Sequence, residues 1–174
     1  EEDLIYLGNS DPVLYGGLQN TFNIGGLRIG FYFSYSLGGK IYNYSELYMA
    51  GSSMSNQYRY MLEAWHPVRN PQSNLPRAGA VDAHVPSDLM IYDASYIRLK
   101  NLTVGYTIPA TLTKKAGIDQ IRIYFSGGNV CYWSPLKKNS KYVDPEAAIN
   151  RSGVNNNAYY PWAKTFMFGI DITF

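Results

Sequence analysis

A group of aromatic and basic residues in the first half of the chain is the strongest candidate for ligand contact. Trp65, His66, Arg69 and Arg77 lie in one stretch, accompanied by Asn70 and many tyrosines. Exposed aromatic rings stack on sugar rings or on peptide side chains, and exposed loops often carry recognition. The four residues are therefore predicted substrate contacts. The alternative is that they pack one loop against another, or against a second protein.

Metal binding is weakly indicated by two other groups of residues. His66 and His84 are 18 positions apart with Asp82 close to the second, a spacing that is not typical of a metal site. Asp144 and Glu146 flank a proline in a predicted turn and could hold calcium, but we favour solvated turn carboxylates. The expectation is therefore no metal and no cofactor.

The sequence shows no set of residues that is typical of an enzyme active site. Cys131 has no histidine within 40 positions, and the sequence contains neither a Gly-x-Ser-x-Gly nucleophile motif nor a glycine-rich phosphate loop. Paired carboxylates on a firm scaffold are missing as well. We therefore expect that the chain is not an enzyme.

The chain that must position these residues is poor in charge. It has 174 residues, of which 46% are hydrophobic and only 16% charged, whereas about a quarter is usual in soluble domains. This composition excludes disorder and a coiled coil, and a net charge of +2 does not indicate a nucleic-acid partner. No apolar stretch is long enough for a transmembrane helix. The first residue is Glu1 rather than Met, as expected for a processed product or part of a longer protein.

Alternation of apolar and polar side chains with period two predicts an all-β chain. The pattern is clearest from Trp162 to Phe174, where one parity is almost wholly apolar or aromatic. Five antiparallel strands are predicted near residues 13–24, 26–37, 95–108, 118–130 and 162–174. The third strand changes phase near Lys100 and Asn101, which predicts a β-bulge.

The connections between the predicted strands alternate in length. Gly25 and Gly26 predict a tight hairpin and residues 109–117 a short turn, whereas residues 38–94 and 131–161 are two long loops. Short turns at one end and long loops at the other are typical of a transmembrane β-barrel. The alternative is a soluble β-sandwich that binds carbohydrate, but sandwich strands are usually about 5–6 residues long.

Charged residues test this interpretation because a Lys or Arg at the lipid midplane costs about 2–4 kcal/mol. The apolar parity contains only Lys164, Lys100 and Arg98, and both lysines are expected near the outer edge of the apolar band. Arg122 and Asp171 have the polar parity and are predicted to face one another as a luminal ion pair. Two separate solvated charges are the alternative for that pair.

Five strands cannot close a membrane barrel, which needs about eight, and open sheet edges are not tolerated in lipid. The chain must therefore be a piece of something larger or assemble with other chains.

Several stretches carry a resemblance to a known family. They are DPVLYGGLQNTF at 11–22, SDLMIYDASYIRLKNLTVGYTIP at 87–109, IRIYFSGGN at 121–129, YVDPE at 142–146, and the final strand at 160–174. In this order they closely resemble the C-terminal region of SusC/RagA-type TonB-dependent transporters. Gly128 stands where glutamine is usual in that family, and Cys131 where an aromatic residue is common.

The resemblance implies a 22-stranded barrel with an N-terminal plug, of which residues 1–174 would supply the last five strands. Such proteins import glycans or oligopeptides across the outer membrane of Gram-negative, Bacteroidota-type cells. They act with a SusD-like surface lipoprotein and are driven by the TonB complex. The plug, the segment that contacts TonB and most of the barrel are not in this chain. Phe174 resembles the aromatic signal read during barrel assembly, the alternative being an interfacial aromatic only.

Overall fold

The long alternating stretches form one five-stranded antiparallel sheet. The computed structural model describes residues 5–45, 56–77, 79, 88–136, 143–146, 154–155 and 160–174. The sheet consists of β1 (Leu14–Ile24), β2 (Leu27–Leu37), β5 (Tyr96–Thr107), β6 (Gln120–Trp133) and β8 (Thr165–Thr173), in that spatial order. All five predicted strands are confirmed, with bounds that differ by three residues at most.

A second, smaller sheet lies in the long connections, where no strand was predicted. It consists of β3 (Lys40–Asn43) between β4 (Ile91–Asp93) and β7 (Val154–Asn155). Strand β3 pairs antiparallel with β4 and parallel with β7, so the two long connections are joined by backbone pairing. Short 3-10 helices span Arg59–Glu63, Asp88–Met90 and Lys114–Ala116, and one α-helical turn, α1, spans Ala110–Thr113.

The strand register separates the large sheet into an apolar face and a polar face. One row of directly paired residues on the apolar face runs across all five strands; it is Phe22, Ile29, Val104, Phe125 and Phe168. The neighbouring row on the polar face is Asn23, Arg28, Gly105, Tyr124 and Gly169. Side chains of successive residues in a strand point to opposite sides, so the sequence alternation produces two chemically different faces.

The predicted irregularity in the third strand is a β-bulge at Lys100. Leu99 and Asn101 pair with consecutive residues of β2, which leaves Lys100 as the extra residue. Arg98 consequently lies opposite Ser34 and Tyr132, residues of the polar parity. The expectation that Arg98 has the apolar parity is wrong, because the bulge reverses the phase of the strand before it.

The two ends of the large sheet differ as predicted. At one end, Gly25 takes a φ of 57° in the β1–β2 turn, a left-handed conformation that glycine adopts without steric cost. The short β5–β6 connection at the same end contains α1 and closes at Gly117, with φ 70°. The opposite end carries both long connections.

The buried core of the described residues lies in these long connections rather than in the large sheet. One cluster joins Ile41, Ala94, Leu136 and Val143 from both connections. A second cluster joins Met61, Ala64 and Met90 within the first connection. Among the described residues, the apolar face of the large sheet is left open, and no helix is long and apolar enough to cross a membrane.

Candidate functional site

Two basic residues of β5 and two acidic residues of the second long connection form a buried ionic cluster on the polar side of the sheet. Nη2 of Arg98 lies 2.5 Å from Oδ1 of Asp144, and both side chains are at most 3% exposed. Nε of Arg98 lies 3.0 Å from Oε2 of Glu146 without hydrogen-bond alignment, so this contact is ionic. Nζ of Lys100 lies 2.5 Å from Oε1 of Glu146. The bulge makes this cluster possible, because it brings Arg98 to the polar face.

Backbone groups complete the coordination of Asp144. Its Oδ1 accepts the N–H of Glu146 at 3.0 Å, and its Oδ2 accepts the N–H of Trp162 at 3.4 Å. Pro145 between the two acids is fully buried. The cluster therefore ties the segment 143–146 both to β5 and to the start of the final strand region.

Aromatic rings extend the ionic cluster on both sides. The guanidinium of Arg98 lies 4.6 Å from the ring centroid of Tyr132, and Nζ of Lys100 lies 5.6 Å from the centroid of Trp162. Cations over aromatic faces are stabilised by the ring quadrupole, more so when water is excluded. The two charges of β5 are thus satisfied by carboxylates and rings together.

The expectation that Asp144 and Glu146 are solvated turn carboxylates is wrong. Asp144 is 4% exposed, and both residues contact basic side chains of β5. Two features of the sequence point to this cluster, namely the phase change at Lys100 and the paired acids in the second long loop. What joins them is a contact across 46 positions of sequence.

The four predicted substrate contacts meet at one open cavity in the first long connection. This cavity has a volume of about 650 Å³, and its lining includes Trp65, His66, Arg69, Arg77 and Arg59. Ligand sites in proteins usually measure about 300–1,000 Å³, so the space suits several residues of a bound chain. Sequence reasoning missed Arg59, which comes from the 3-10 helix Arg59–Glu63.

Hydrogen bonds hold the backbone around this cavity in a defined shape. The N–H and the carbonyl of His66 bond to the carbonyl and the N–H of Asn70, at 3.3 and 3.1 Å. Nδ1 of His66 accepts the N–H groups of Val68 and Arg69, at 3.1 and 3.2 Å. The side-chain amide of Asn70 donates to the carbonyls of Leu62 and Ala64. His66 and Asn70 thus build the frame, whereas the arginines that line the cavity are exposed.

Arg122 and Asp171 are directly opposed in the β6–β8 pairing, as the register argument predicted. Nη1 of Arg122 lies 4.0 Å from Oδ2 of Asp171, and the side chains are 33% and 58% exposed. The guanidinium also lies 5.5 Å from the ring centroid of Tyr124. Arg122 and Arg28 line an open groove of about 490 Å³ on the polar face. The functional role of this pair stays a prediction.

Phe174 follows β8 and is 84% exposed, and its role as an assembly signal stays a prediction. Among the described residues, no three His, Cys, Asp or Glu side chains converge as a metal site would require. Asp82 and His84, the other members of the weak metal candidate, lie outside the described residues, as do Ser87 and Tyr142 of the family motifs.

Sequence comparison finds similarity to curated receptors over nearly the whole chain. The TonB-dependent receptor P3 of Formosa agariphila is 31% identical over 176 residues, which cover 97% of this chain and 17% of the receptor. The TonB-dependent receptor P26 of the same organism is 29% identical over 183 residues, covering 99% and 18%. The chain thus spans about a sixth of the length of these two receptors. No protein-family model matches the chain.

Structure comparison finds the same architecture in a solved transporter. The RagAB peptide importer in its open-open state superposes with a TM-score of 0.73 at 26% identity, over 96% of this chain and 18% of the other. The closed-closed state gives 0.74, and a further structure of the RagAB peptide transporter gives 0.75, each over 97% of this chain. These matches confirm the resemblance to SusC/RagA-type TonB-dependent transporters.

Proposed function

We propose that this chain, a segment similar to SusC/RagA-type TonB-dependent transporters, forms one side of the barrel wall of an outer-membrane importer. The importer takes up large nutrients, and the similarity to a peptide importer favours oligopeptides over glycans as the cargo. Residues 1–174 act as one unit of that barrel, with the rest of the wall and the plug supplied by other parts of the protein. The transporter resides in the outer membrane of a Gram-negative cell.

The two-faced sheet is the observation that carries this proposal. On the apolar face, Phe168 is 79% exposed and Ile170 is 62% exposed. Within the described residues, nothing covers these side chains. Removing apolar surface from water is favourable by about 25 cal/mol per Å², so leaving this face in water is costly. The lipid of a membrane supplies the apolar surrounding that the face requires.

The opposite face suits the interior of a transport barrel. It carries Arg28, Arg122, Asn101 and Thr103 around the open groove described above. A polar interior facing water or a plug alternates with a lipid-facing exterior in membrane barrels. The sheet thus has the chemistry that a barrel wall needs on each side.

The long connections carry recognition in this proposal. Trp65, His66, Arg69 and Arg77 contact the cargo at their shared cavity, on the outer side of the membrane. A SusD-like lipoprotein closes over that side, and the TonB complex supplies the energy through parts of the protein outside this chain. Pairing of β3 with β7 supports this arrangement, because it makes the two long connections one platform.

The competing function is a soluble β-sandwich that binds carbohydrate through exposed aromatics. A sandwich buries the inner face of each sheet against the other, about 10 Å away. In the part of the chain that the structure describes, the small sheet β4-β3-β7 does not cover the apolar face of the large sheet. The sandwich is therefore the weaker proposal.

The test uses the whole receptor in a cell that lacks its gene. Uptake of fluorescent oligopeptides and oligosaccharides is measured with and without the reintroduced receptor, and again after collapse of the proton gradient that drives the TonB complex. We expect gene-dependent, energy-dependent uptake of peptides. The proposal would be overturned if neither the oligopeptides nor the oligosaccharides were taken up, or if the receptor stayed in solution without detergent.

A further inference from the structure

We infer that the cavity of the first long connection binds the carboxylate groups of an acidic oligopeptide, with Arg59, Arg69 and Arg77 as its anchors. This inference rests on the proposed importer function and specifies the class of cargo. It adds Arg59 to the predicted contacts and gives the three arginines a common chemical role.

The charge of the cavity is one-sided. Among the described residues, its lining contains three arginines and a histidine but no aspartate or glutamate. In the described part of the chain, none of the three arginines has a carboxylate within ion-pair distance. Two arginines of the large sheet, Arg98 and Arg122, do each have an acidic partner. Three guanidinium groups at one cavity, without described acids to neutralise them, favour a ligand with several negative charges.

His66 and Asn70 use their polar groups for hydrogen bonds within the frame of the cavity, which leaves the arginines as the charged groups that a ligand can contact. His66 uses Nδ1 for two backbone N–H groups, and Asn70 uses its amide for two carbonyls. The guanidinium fork matches the geometry of a carboxylate, which it can bind through two parallel hydrogen bonds. The arrangement thus offers carboxylate binding on a hydrogen-bonded frame.

Two features favour a peptide as the carrier of these carboxylates. Trp65 is 39% exposed at the cavity and Tyr58 lines it, so apolar side chains between acidic residues have rings to contact. The architecture is that of a peptide importer, with a TM-score of up to 0.75. An acidic polysaccharide would present its carboxylates on sugar rings instead, so the test must distinguish binding of such a polysaccharide from binding of an acidic peptide.

The experiment measures binding to the purified whole receptor together with its lipoprotein partner, in detergent at low salt. The probes are a fluorescent ten-residue peptide rich in Asp and Glu, its neutral counterpart with Asn and Gln, and a polyuronate oligosaccharide. The variant Arg59→Gln/Arg69→Gln/Arg77→Gln removes the anchors. Exposed ion pairs of this kind change affinity about twofold to threefold each, so about a tenfold loss is expected for the acidic peptide.

Controls separate charge at the cavity from charge in general. The variant Lys114→Gln/Lys115→Gln removes two exposed charges at the opposite end of the sheet and is expected to bind like the wild type. Glu63→Gln removes an exposed acid from the helix that carries Arg59 and is expected to strengthen acidic-peptide binding about twofold. Neutral-peptide affinity is expected to stay within about twofold in every variant.

The outcomes are distinct. Equal wild-type affinity for acidic and neutral peptides, or equal losses of both in the triple variant, overturns this inference and leaves the importer proposal standing. Arginine-dependent binding of the polyuronate without binding of the acidic peptide also overturns it. Absence of binding to all three probes counts against the importer proposal itself.

Discussion

Removal of the charge of Asp144 is expected to release the segment 143–146 from the barrel wall. The substitution Asp144→Asn keeps the size of the side chain and an oxygen for the N–H of Glu146. It removes the negative charge beside Arg98, whose Nη2 lies 2.5 Å from the carboxylate. Both side chains are at most 3% exposed, so water does not compensate for the lost partner.

The size of the effect follows from burial. Removal of one partner from a buried ion pair costs about 3–5 kcal/mol, because the other charge stays buried and uncompensated. Here Glu146 remains 3.0 Å from Nε of Arg98 and retains part of the compensation. We therefore expect the lower end, about 3 kcal/mol, which corresponds to roughly a 100-fold increase in local opening.

Hydrogen exchange of the intact receptor measures this opening directly. The reporting amide is that of Glu146, whose acceptor Oδ1 the asparagine retains, whereas the N–H of Trp162 loses its acceptor Oδ2. Under conditions where closing is faster than exchange, the exchange rate of the Glu146 amide rises in proportion to the open population. Amides within the main sheet, such as those of β5 and β6, are expected to keep their wild-type rates.

Two further variants distinguish the ionic cluster from general packing. Asp171→Asn removes a carboxylate that is 58% exposed and 4.0 Å from Arg122, where an ion pair contributes little to stability. The hydrogen-exchange rate of the Glu146 amide is therefore expected to change less than about twofold in this variant. Arg98→Met/Asp144→Asn/Glu146→Gln removes the buried charges together, keeps an acceptor for the N–H of Glu146, and is expected to recover most of the lost protection. Wild-type protection in Asp144→Asn would refute the reasoning, because the pair would then contribute nothing to holding the segment.

Three other predictions concern the barrel wall and are measured in the intact receptor. Phe168→Lys on the apolar face is expected to cost about 2–4 kcal/mol and lower the fraction that resists unfolding in heated SDS, whereas Met167→Lys on the opposite face is tolerated. Gly169→Ala places a methyl group against the ring of Tyr124 and is expected to cost about 1–3 kcal/mol in thermal unfolding, with recovery when Tyr124→Ala is added. Phe174→Ala is expected to reduce the amount of assembled receptor in isolated outer membranes without changing the melting temperature of the part that assembles; a normal amount would remove its role as an assembly signal.

The sequence by itself determined the strands of the large sheet and their pairing. Alternation with period two is a local property of β-structure, so 11 residues of β1 or β2 are enough to show it. The shared parity of Arg122 and Asp171, together with an assumed hairpin that pairs position 119 with 174, opposed the two residues, and the observed register agrees. The bulge at Lys100 was equally predictable, because an extra residue in a strand reverses the alternation on one side of it.

Only the tertiary structure decided what the long connections do. Burial of Asp144 depends on Arg98, 46 positions away, and no local pattern encodes a contact over that distance. The same holds for β3 and β7, short strands whose pairing joins two connections that are far apart in sequence. Irregular segments obtain their conformation from the partners they pack against, because they lack the repeating backbone geometry that gives a strand its recognisable sequence pattern.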